Sequence, residues 1–363
     1  MNAIILGQST KIADILSHFC DSVYIVIDIN ANGLRYSPEL DNYHVIRSDI
    51  NMSYPHNIIR KARYVKRLVK DNKIDIVFSQ TKYDMVAGKL ASMMLRRKVV
   101  LLGTSHNSYS WLNESAVKRM SWLIKMSTDC FVALASFVYN QLVALGIQKN
   151  KLLLMPNTIE FRVWKTKRDY KCKAPFRMVY VAVVYPGKQQ LFLVDLLCEL
   201  LKNYDVEIDC YGDLNACTDY VSEIEEKIKS LNINNKFHLL GRIENSELRN
   251  LLCEYDAYIC PTKMEMSPVN ILEAKAAGLP VIATNVGGIP DIIKDNFDGL
   301  LFESGNIADA VEKVTRVMNN KSFRETLGNN ARKQVSELYT SKDAAKRLQG
   351  VVNRSFNINC STL

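Results

Sequence analysis

At 363 residues, 48% hydrophobic and 23% charged, the chain has apolar material for two ordinary cores, which excludes wholesale disorder. No stretch reaches the roughly 18 apolar residues of a bilayer span, and residues 1–6 enter strand-like sequence without the basic and apolar regions of a signal peptide, so a cytoplasmic protein is expected. The net charge of +9 is one-sided: residues 1–157 hold 20 basic against 11 acidic side chains and residues 158–363 hold 27 of each, so an anionic partner is expected for the first half alone.

Short β-branched runs alternate with longer stretches of helical period. Residues 3–6, 23–27, 74–79, 99–102, 130–133 and 152–155 are the predicted strands of the first half, at the spacing of βα units and a parallel sheet. Within it, residues 56–73 scan as an amphipathic helix with Ile58, Ala62, Val65 and Val69 on one face and Arg60, Arg63, Arg67 and Lys70 on the other. A second helix, 111–126, sets Leu112, Ala116, Met120, Leu123 and Ile124 on one face and Trp111, Trp122 and Met126 on another, flanked by Lys118, Arg119 and Lys125. Both stripes are open to two readings. One is a solvated or helix-packed face, and the other is contact with an anionic membrane surface, where tryptophan beside lysine sits at the headgroup level. No RNA- or DNA-binding motif accompanies the basic residues, so nucleic acid is not an expected partner.

The rhythm breaks over the charged segment 158–175 and restarts with predicted strands at 178–184, 206–211, 237–240, 257–260, 281–283 and 299–302. The nine cysteines form no Cys-x-x-Cys pair and mostly lie in apolar runs, so reduced thiols are expected. Two α/β domains joined by one linker make the carboxyl ends of their strands the default ligand site.

The segment 261–283 carries the chemistry. It leaves a buried strand, turns, and enters a helix with Ser267 as the expected N-cap and Pro268 at the first helical position, so the N–H groups around Pro268, Val269 and Asn270 face an anion such as a diphosphate. Glu265 precedes this helix and Glu273 lies about five residues into it, while Gly287 and Gly288, after the next strand, allow close backbone approach to a ligand. The same carboxylates could be a loop acid and a helix-surface acid, and the glycines could serve only a turn. Strand, cap, proline and glycines in succession are what favour a site.

Glu265 and Glu273, with Ala274, Gly278, Pro280 and Gly287-Gly288 after them, resemble the E-x7-E signature of retaining glycosyltransferase family 4, the group 1 glycosyltransferases of the GT-B fold. Residues 127–136, Leu145-Gly146-Ile147, residues 151–157, Pro186-Gly187-Lys188 and Leu240-Gly241-Arg242 are similar to further segments of that family, and the resemblance covers about residues 74–305. It implies an α/β chain of two Rossmann-like domains with parallel sheets facing across a cleft: an acceptor-side domain 1–157, a linker 158–175, a nucleotide-sugar domain 176–340, and a helix and tail 341–363 packing back on the first domain.

The resemblance also implies roles. Glu273 would bond the donor ribose, Glu265 would lie near the transferred sugar, Lys188 would hold the diphosphate and offset the charge growing on the leaving group, and His106 would approach the sugar from the first domain. Gly7 would stand in the loop that contacts donor and acceptor, although the glycine pair that usually shapes this loop is missing from the sequence. No metal or other cofactor is implied, because lysine, arginine and a helix N-terminus do the work of a divalent cation. The sequence departs from the pattern at Val183, where arginine is usual, at Ala182 and Thr158, where glycine is usual, and at Met266 and Ser267, which replace glycine and an aromatic residue. Arg242 is the candidate substitute for the arginine missing at Val183.

The implied reaction moves a hexosyl unit from a nucleoside diphosphate sugar to a glycan hydroxyl with retention. The expected acceptor is lipid-linked, in surface polysaccharide (O-antigen, capsule or lipopolysaccharide) synthesis at the inner face of the plasma membrane. Two alternatives stay open: a nucleotide-sugar epimerase of the same fold, which needs no acceptor, and a non-catalytic glycan- or nucleotide-binding subunit.

Overall fold

A computed structural model describes residues 1–7, 9–28, 42–50, 57–106, 113–164, 168–172 and 174–356. The chain forms two compact units, Met1–Thr158 with Ser341–Leu363, and Ile159–Thr340.

The first unit contains β1 (Asn2–Leu6), α1 (Thr10–Ser17), β2 (Ser22–Asp28), β3 (Tyr43–Ser48), α2 (Ile58–Asp71), β4 (Ile76–Ser79), α3 (Lys82–Met93), β5 (Val100–Thr104), α4 (Glu114–Ser127), β6 (Cys130–Ala133), α5 (Ser136–Ala144) and β7 (Leu152–Leu154). Its seven strands are parallel in the order β3-β2-β1-β4-β5-β6-β7. Every residue of β4 and β6 is buried, as befits strands covered by helices on both faces. β3 is absent from the predicted strands. It lies at the sheet edge with His44 and Val45 exposed, so no alternation marks it in sequence, and pairing with β2 is what makes it a strand. Helix α2 buries Ala62, Val65, Leu68 and Val69 and leaves Arg60, Arg63, Arg67 and Lys70 exposed. Of the second predicted stripe, Trp111 and Leu112 lie outside the described residues, and α4 begins at Glu114.

The second unit contains β8 (Phe176–Val181), α6 (Gln190–Leu201), β9 (Val206–Tyr211), α7 (Thr218–Ser230), β10 (Phe237–Leu239), α8 (Asn245–Leu251), β11 (Ala257–Cys260), α9 (Val269–Ala276), β12 (Val281–Thr284), α10 (Ile289–Ile292), β13 (Leu300–Phe302), α11 (Ile307–Asn319) and α12 (Lys321–Leu338). Its parallel sheet runs β10-β9-β8-β11-β12-β13. The strand predicted at 178–184 stops at Val181, because the N–H groups of Ala182 and Val184 turn to the carbonyls of Tyr211 and Asp213. After it the chain returns to the first unit as α13 (Ser341–Phe356), which packs on α1 and whose Ser355 carbonyl accepts from the Lys98 ammonium.

In both sheets the strand order reverses once, between β1 and β4 and between β8 and β11. Such a switch point opens a crevice at the carboxyl ends of the strands. Among the described residues no helix is long and apolar enough to cross a membrane, and the eight described cysteines are free thiols.

The back of α9 is fixed by buried polar contacts. Lys275 and Asp298, both fully buried, stand 3.3 Å apart, and the Lys275 ammonium also donates to the Ile292 carbonyl and the Gln334 side chain. Helix α12 crosses α9 so closely that a Cβ at Gly328 would lie 2.3 Å from the Gly278 carbonyl and 2.3 Å from the Tyr170 hydroxyl, which itself donates to that carbonyl at 2.9 Å. Gly328→Ala gains about 1 kcal/mol in helix propensity but forces an overpacking cost of about 1–3 kcal/mol. We therefore expect a net loss of stability, read in urea or thermal unfolding as a lower midpoint; an unchanged or raised midpoint contradicts this packing.

Candidate active site

The site grows from the switch point of the second sheet. Strands β8 and β11 are paired only at Met178 with Ala257 and at Val179 with Tyr258, and beyond that they diverge. Val181 thus has no backbone partner on that side. Its N–H donates to the Tyr258 hydroxyl oxygen at 3.3 Å, while its carbonyl accepts from the Tyr258 hydroxyl at 3.2 Å and from the Asn270 side-chain amide at 2.7 Å. These two side chains keep the strands apart and bring the first turn of α9 to the end of β8. The Asn270 side-chain amide is thus committed to the protein.

Three loops meet there. After β8, Pro186–Lys188 forms a 3-10 turn whose Gly187 carbonyl accepts from Thr262 Oγ1 at 3.2 Å and from the Lys263 N–H at 3.0 Å, both in the loop after β11. The Thr284 hydroxyl at the end of β12 donates to the Thr262 carbonyl at 2.7 Å. On this framework the Lys188 ammonium is ion-paired with the Glu265 carboxylate, both side chains mostly buried. The backbone of Glu265 is held in turn: the Gly288 N–H donates to its carbonyl at 2.9 Å, and at Gly287, with φ +56°, a Cβ would lie 2.1 Å from the same oxygen. The close approach that the glycine pair allows is therefore to Glu265 itself.

Helix α9 begins one residue later than its sequence implied. Pro268 is the N-cap, not Ser267, and Val269 is the first helical residue; Ser267 is buried in the preceding loop. Proline has no side-chain group to bond the first-turn N–H donors; that of Ile271 donates to Asn270 Oδ1 at 2.9 Å, and the positive end of the helix dipole lies at the loop after β11. Glu273, half-buried, is the fifth helical residue, about 6 Å along the axis from Val269 at 1.5 Å per residue. Beneath the Lys188–Glu265 pair lie Tyr180, Tyr258 and Cys260. Burial first, and the Glu265 charge second, push the Cys260 thiol up to about 12, while burial first, and the neighbouring Cys260 second, raise both phenols, so the floor beneath the ion pair is neutral.

Arg242, after β10, is largely exposed and ion-paired with Asp213 at 2.5 Å; its guanidinium holds that carboxyl below the usual carboxylate range. The Asp213 carbonyl accepts from Val184, and a Cβ at Gly212 would lie 1.8 Å from the Ala182 carbonyl, so Arg242 belongs to the same loop cluster as the Ala182–Val183 turn.

In the first unit, Gly7 sits at the switch point with φ +120°, its N–H donating to the Val26 carbonyl at 3.2 Å, and the Gln80 side chain after β4 lies 3.5 Å from where its Cβ would be. His106 is exposed just past the carboxyl end of β5. The structure thus gathers Lys188, Glu265, Asn270, Gly287 and Gly288 in one unit and puts Gly7 and His106 at the equivalent edge of the other. Sequence reasoning missed Tyr258, Thr262 and Lys263. The available signal was a threonine two residues past a fully buried strand, a buried polar residue that needs a bond partner in a neighbouring loop.

The sequence matches two family models: glycosyl transferases group 1 over residues 164–334 and glycosyltransferase family 4 over residues 21–162. It is 23% identical over 273 residues to the UDP-Gal:alpha-D-GlcNAc-diphosphoundecaprenol alpha-1,3-galactosyltransferase of Escherichia coli, covering 70% of this chain and 69% of that one. Among solved structures, a glycosyltransferase from Rickettsia africae superimposes with TM-score 0.83 at 18% identity, covering 99% of both chains. Anabaena HepE in complex with UDP-glucose does so with TM-score 0.78 at 19% identity, covering 98% of this chain and 100% of that one. With family models on both halves and the switch-point geometry above, the chain belongs to the group 1 glycosyltransferases of the GT-B fold.

Proposed function

We propose that this glycosyltransferase moves a hexosyl unit from a nucleoside diphosphate sugar to a hydroxyl of a lipid-linked glycan in surface polysaccharide synthesis, with retention at the anomeric carbon. The observation that carries the reading is the Lys188–Glu265 ion pair, clasped between three loops beside the N-terminus of α9. A diphosphate can take over Lys188 by exchanging one anionic partner for another, so no cation has to be imported. Lys188 and the α9 N-terminus then offset charge on the departing diphosphate, with Arg242 as a further cation at the same loop edge. We propose metal independence on that basis.

Glu273 is assigned to the donor ribose and Glu265, once released from Lys188, to the sugar. His106 is assigned to the sugar from the first unit. Uridine is the base to test first, because the named Escherichia coli relative and the HepE complex both involve UDP-sugars. The diphosphoundecaprenol in that relative's name supports a lipid-carried acceptor and, with it, a reaction at the inner face of the plasma membrane.

Three outcomes are expected. Glu273→Gln and Lys188→Met should each weaken UDP binding by about 10- to 100-fold in calorimetry, the range of a lost charge-assisted hydrogen bond; unchanged affinity in both removes the site assignment. Gly287→Ala should displace the Glu265 backbone and lower kcat/KM by about a hundredfold at temperatures where the protein stays folded, since misplacements near 1 Å are that costly; full activity would show that Glu265 need not be held there. Product formed from an α-linked donor should carry the α configuration by NMR and form at the same rate in EDTA; an inverted product or lost turnover overturns the retaining or the metal-independent reading respectively.

A further inference from the structure

The loops that meet at the switch point of the second sheet, residues 182–189, 261–267 and 285–288, carry three charged side chains: Lys188, Lys263 and Glu265. Two of these are spent on each other, since the Lys188 ammonium is ion-paired with the Glu265 carboxylate and both side chains are mostly buried. Lys263 is the third. It is exposed, and among the described residues its ammonium has no ion-pair or hydrogen-bond partner.

The backbone fixes where Lys263 stands. Its N–H donates to the Gly187 carbonyl at 3.0 Å, and the Thr262 hydroxyl donates to the same oxygen at 3.2 Å. Gly187 directly precedes Lys188, so the peptide that carries Lys263 lies against the turn that carries Lys188. The Thr284 hydroxyl, donating to the Thr262 carbonyl at 2.7 Å, ties the same loop to the end of β12. A lysine ammonium rides on a flexible four-carbon stem, long enough for two lysines one peptide contact apart to serve a single ligand.

Charge counting gives this cation a task. The diphosphate of a nucleoside diphosphate sugar carries a negative charge on each phosphate and gains another as the bond to the sugar breaks. Lys188 balances one of these, and a helix N-terminus supplies the equivalent of about half a charge. Val183, exposed in the turn after β8, is apolar, and Arg242 already has Asp213 as its counter-ion at 2.5 Å. Exposed lysines are ordinary on a protein surface. Lys263 is distinguished by a main chain that clasps the Lys188 turn and by a charge that no neighbour meets.

We infer that Lys263 is a second cationic ligand of the donor diphosphate, set beside Lys188 by the bond between its own N–H and the Gly187 carbonyl. The inference rests on the reading of this loop cluster as the donor site and adds a residue to it. Lys188 has to leave Glu265 before it can hold the diphosphate, whereas Lys263 has no partner to give up. Lys263 therefore meets the incoming anion while the ion pair is still closed.

The test is calorimetry with UDP and ligand-detected NMR with uridine, both on the full chain. Lys263→Gln should weaken UDP binding about tenfold, the low end for a charge-assisted hydrogen bond because the side chain is open to solvent and salt, and should leave uridine binding unchanged. Lys263→Arg should retain most of the parent's affinity, and Arg242→Gln should cost less than Lys263→Gln. The affinity of the parent for UDP should fall more steeply with sodium chloride than that of Lys263→Gln. All three variants should keep the parent's unfolding midpoint, since the backbone of Lys263 and not its side chain holds the loops together. Unchanged UDP affinity in Lys263→Gln, an equal loss for uridine, no recovery in Lys263→Arg, or a larger loss from Arg242→Gln overturns the assignment. If Lys188→Met and Glu273→Gln lose UDP affinity while Lys263→Gln does not, the donor site stands and the role of Lys263 falls. If none of the three loses affinity, the donor site falls and Lys263 with it.

Discussion

Strand β8 has to end beside a strand that no longer pairs with it. Past Val179 the neighbour β11 diverges, and a half-buried peptide group at Val181 would be left without partners at a cost of about 1–3 kcal/mol for each lost bond. Tyr258 from β11 and Asn270 from α9 supply those bonds from their side chains. That substitution of side chain for strand keeps the crevice open, sets the entry of α9 against the end of β8, and so fixes where Lys188, Glu265 and Glu273 stand relative to one another. A hydrophobic core alone would allow the strands to keep pairing; the polar splint stops them.

Lys188 and Glu265 satisfy each other in a mostly buried setting above a floor of neutral phenols and a neutral thiol. Removing either charge from such a pair typically costs about 3–5 kcal/mol because the other is left uncompensated. A diphosphate is one of the few ligands that can separate them without that cost, since it presents negative charge to Lys188 as Glu265 leaves. The Glu265 backbone is gripped by Gly287 and Gly288, so in the proposed exchange its side chain can change partner while its main chain stays still. Behind this, Lys275 anchors the far side of α9 in a fully buried bond set, so the helix that carries Glu273 is pinned at both ends.

The two sheets share a switch-point plan but differ in what surrounds it. The second unit's sheet is wrapped by a large continuous core and has its polar side chains at the carboxyl edge tied into loop-to-loop bonds. The first unit carries the basic excess, most of it on exposed side chains such as Arg60, Arg63, Arg67 and Lys70 of α2.

The sequence by itself determined the alternation of strands and helices, the presence of two α/β units, and the glutamate, lysine and glycine positions of the candidate site, because burial writes period and turn chemistry writes glycine and proline locally. It did not reveal β3, whose exposed edge residues lack alternation and which exists through pairing with β2. Nor did it reveal that the Gly287-Gly288 turn approaches the Glu265 backbone, or that Asn270 braces Val181. The N-cap shifted from Ser267 to Pro268 for a related reason, since the loop buries Ser267. Each of these depends on contacts between residues far apart in the chain, and sequence spacing carries no information about which carbonyl a distant amide will meet. Only the tertiary structure decided those partners, because they are set by how far β8 and β11 diverge and by which loops the divergence brings together.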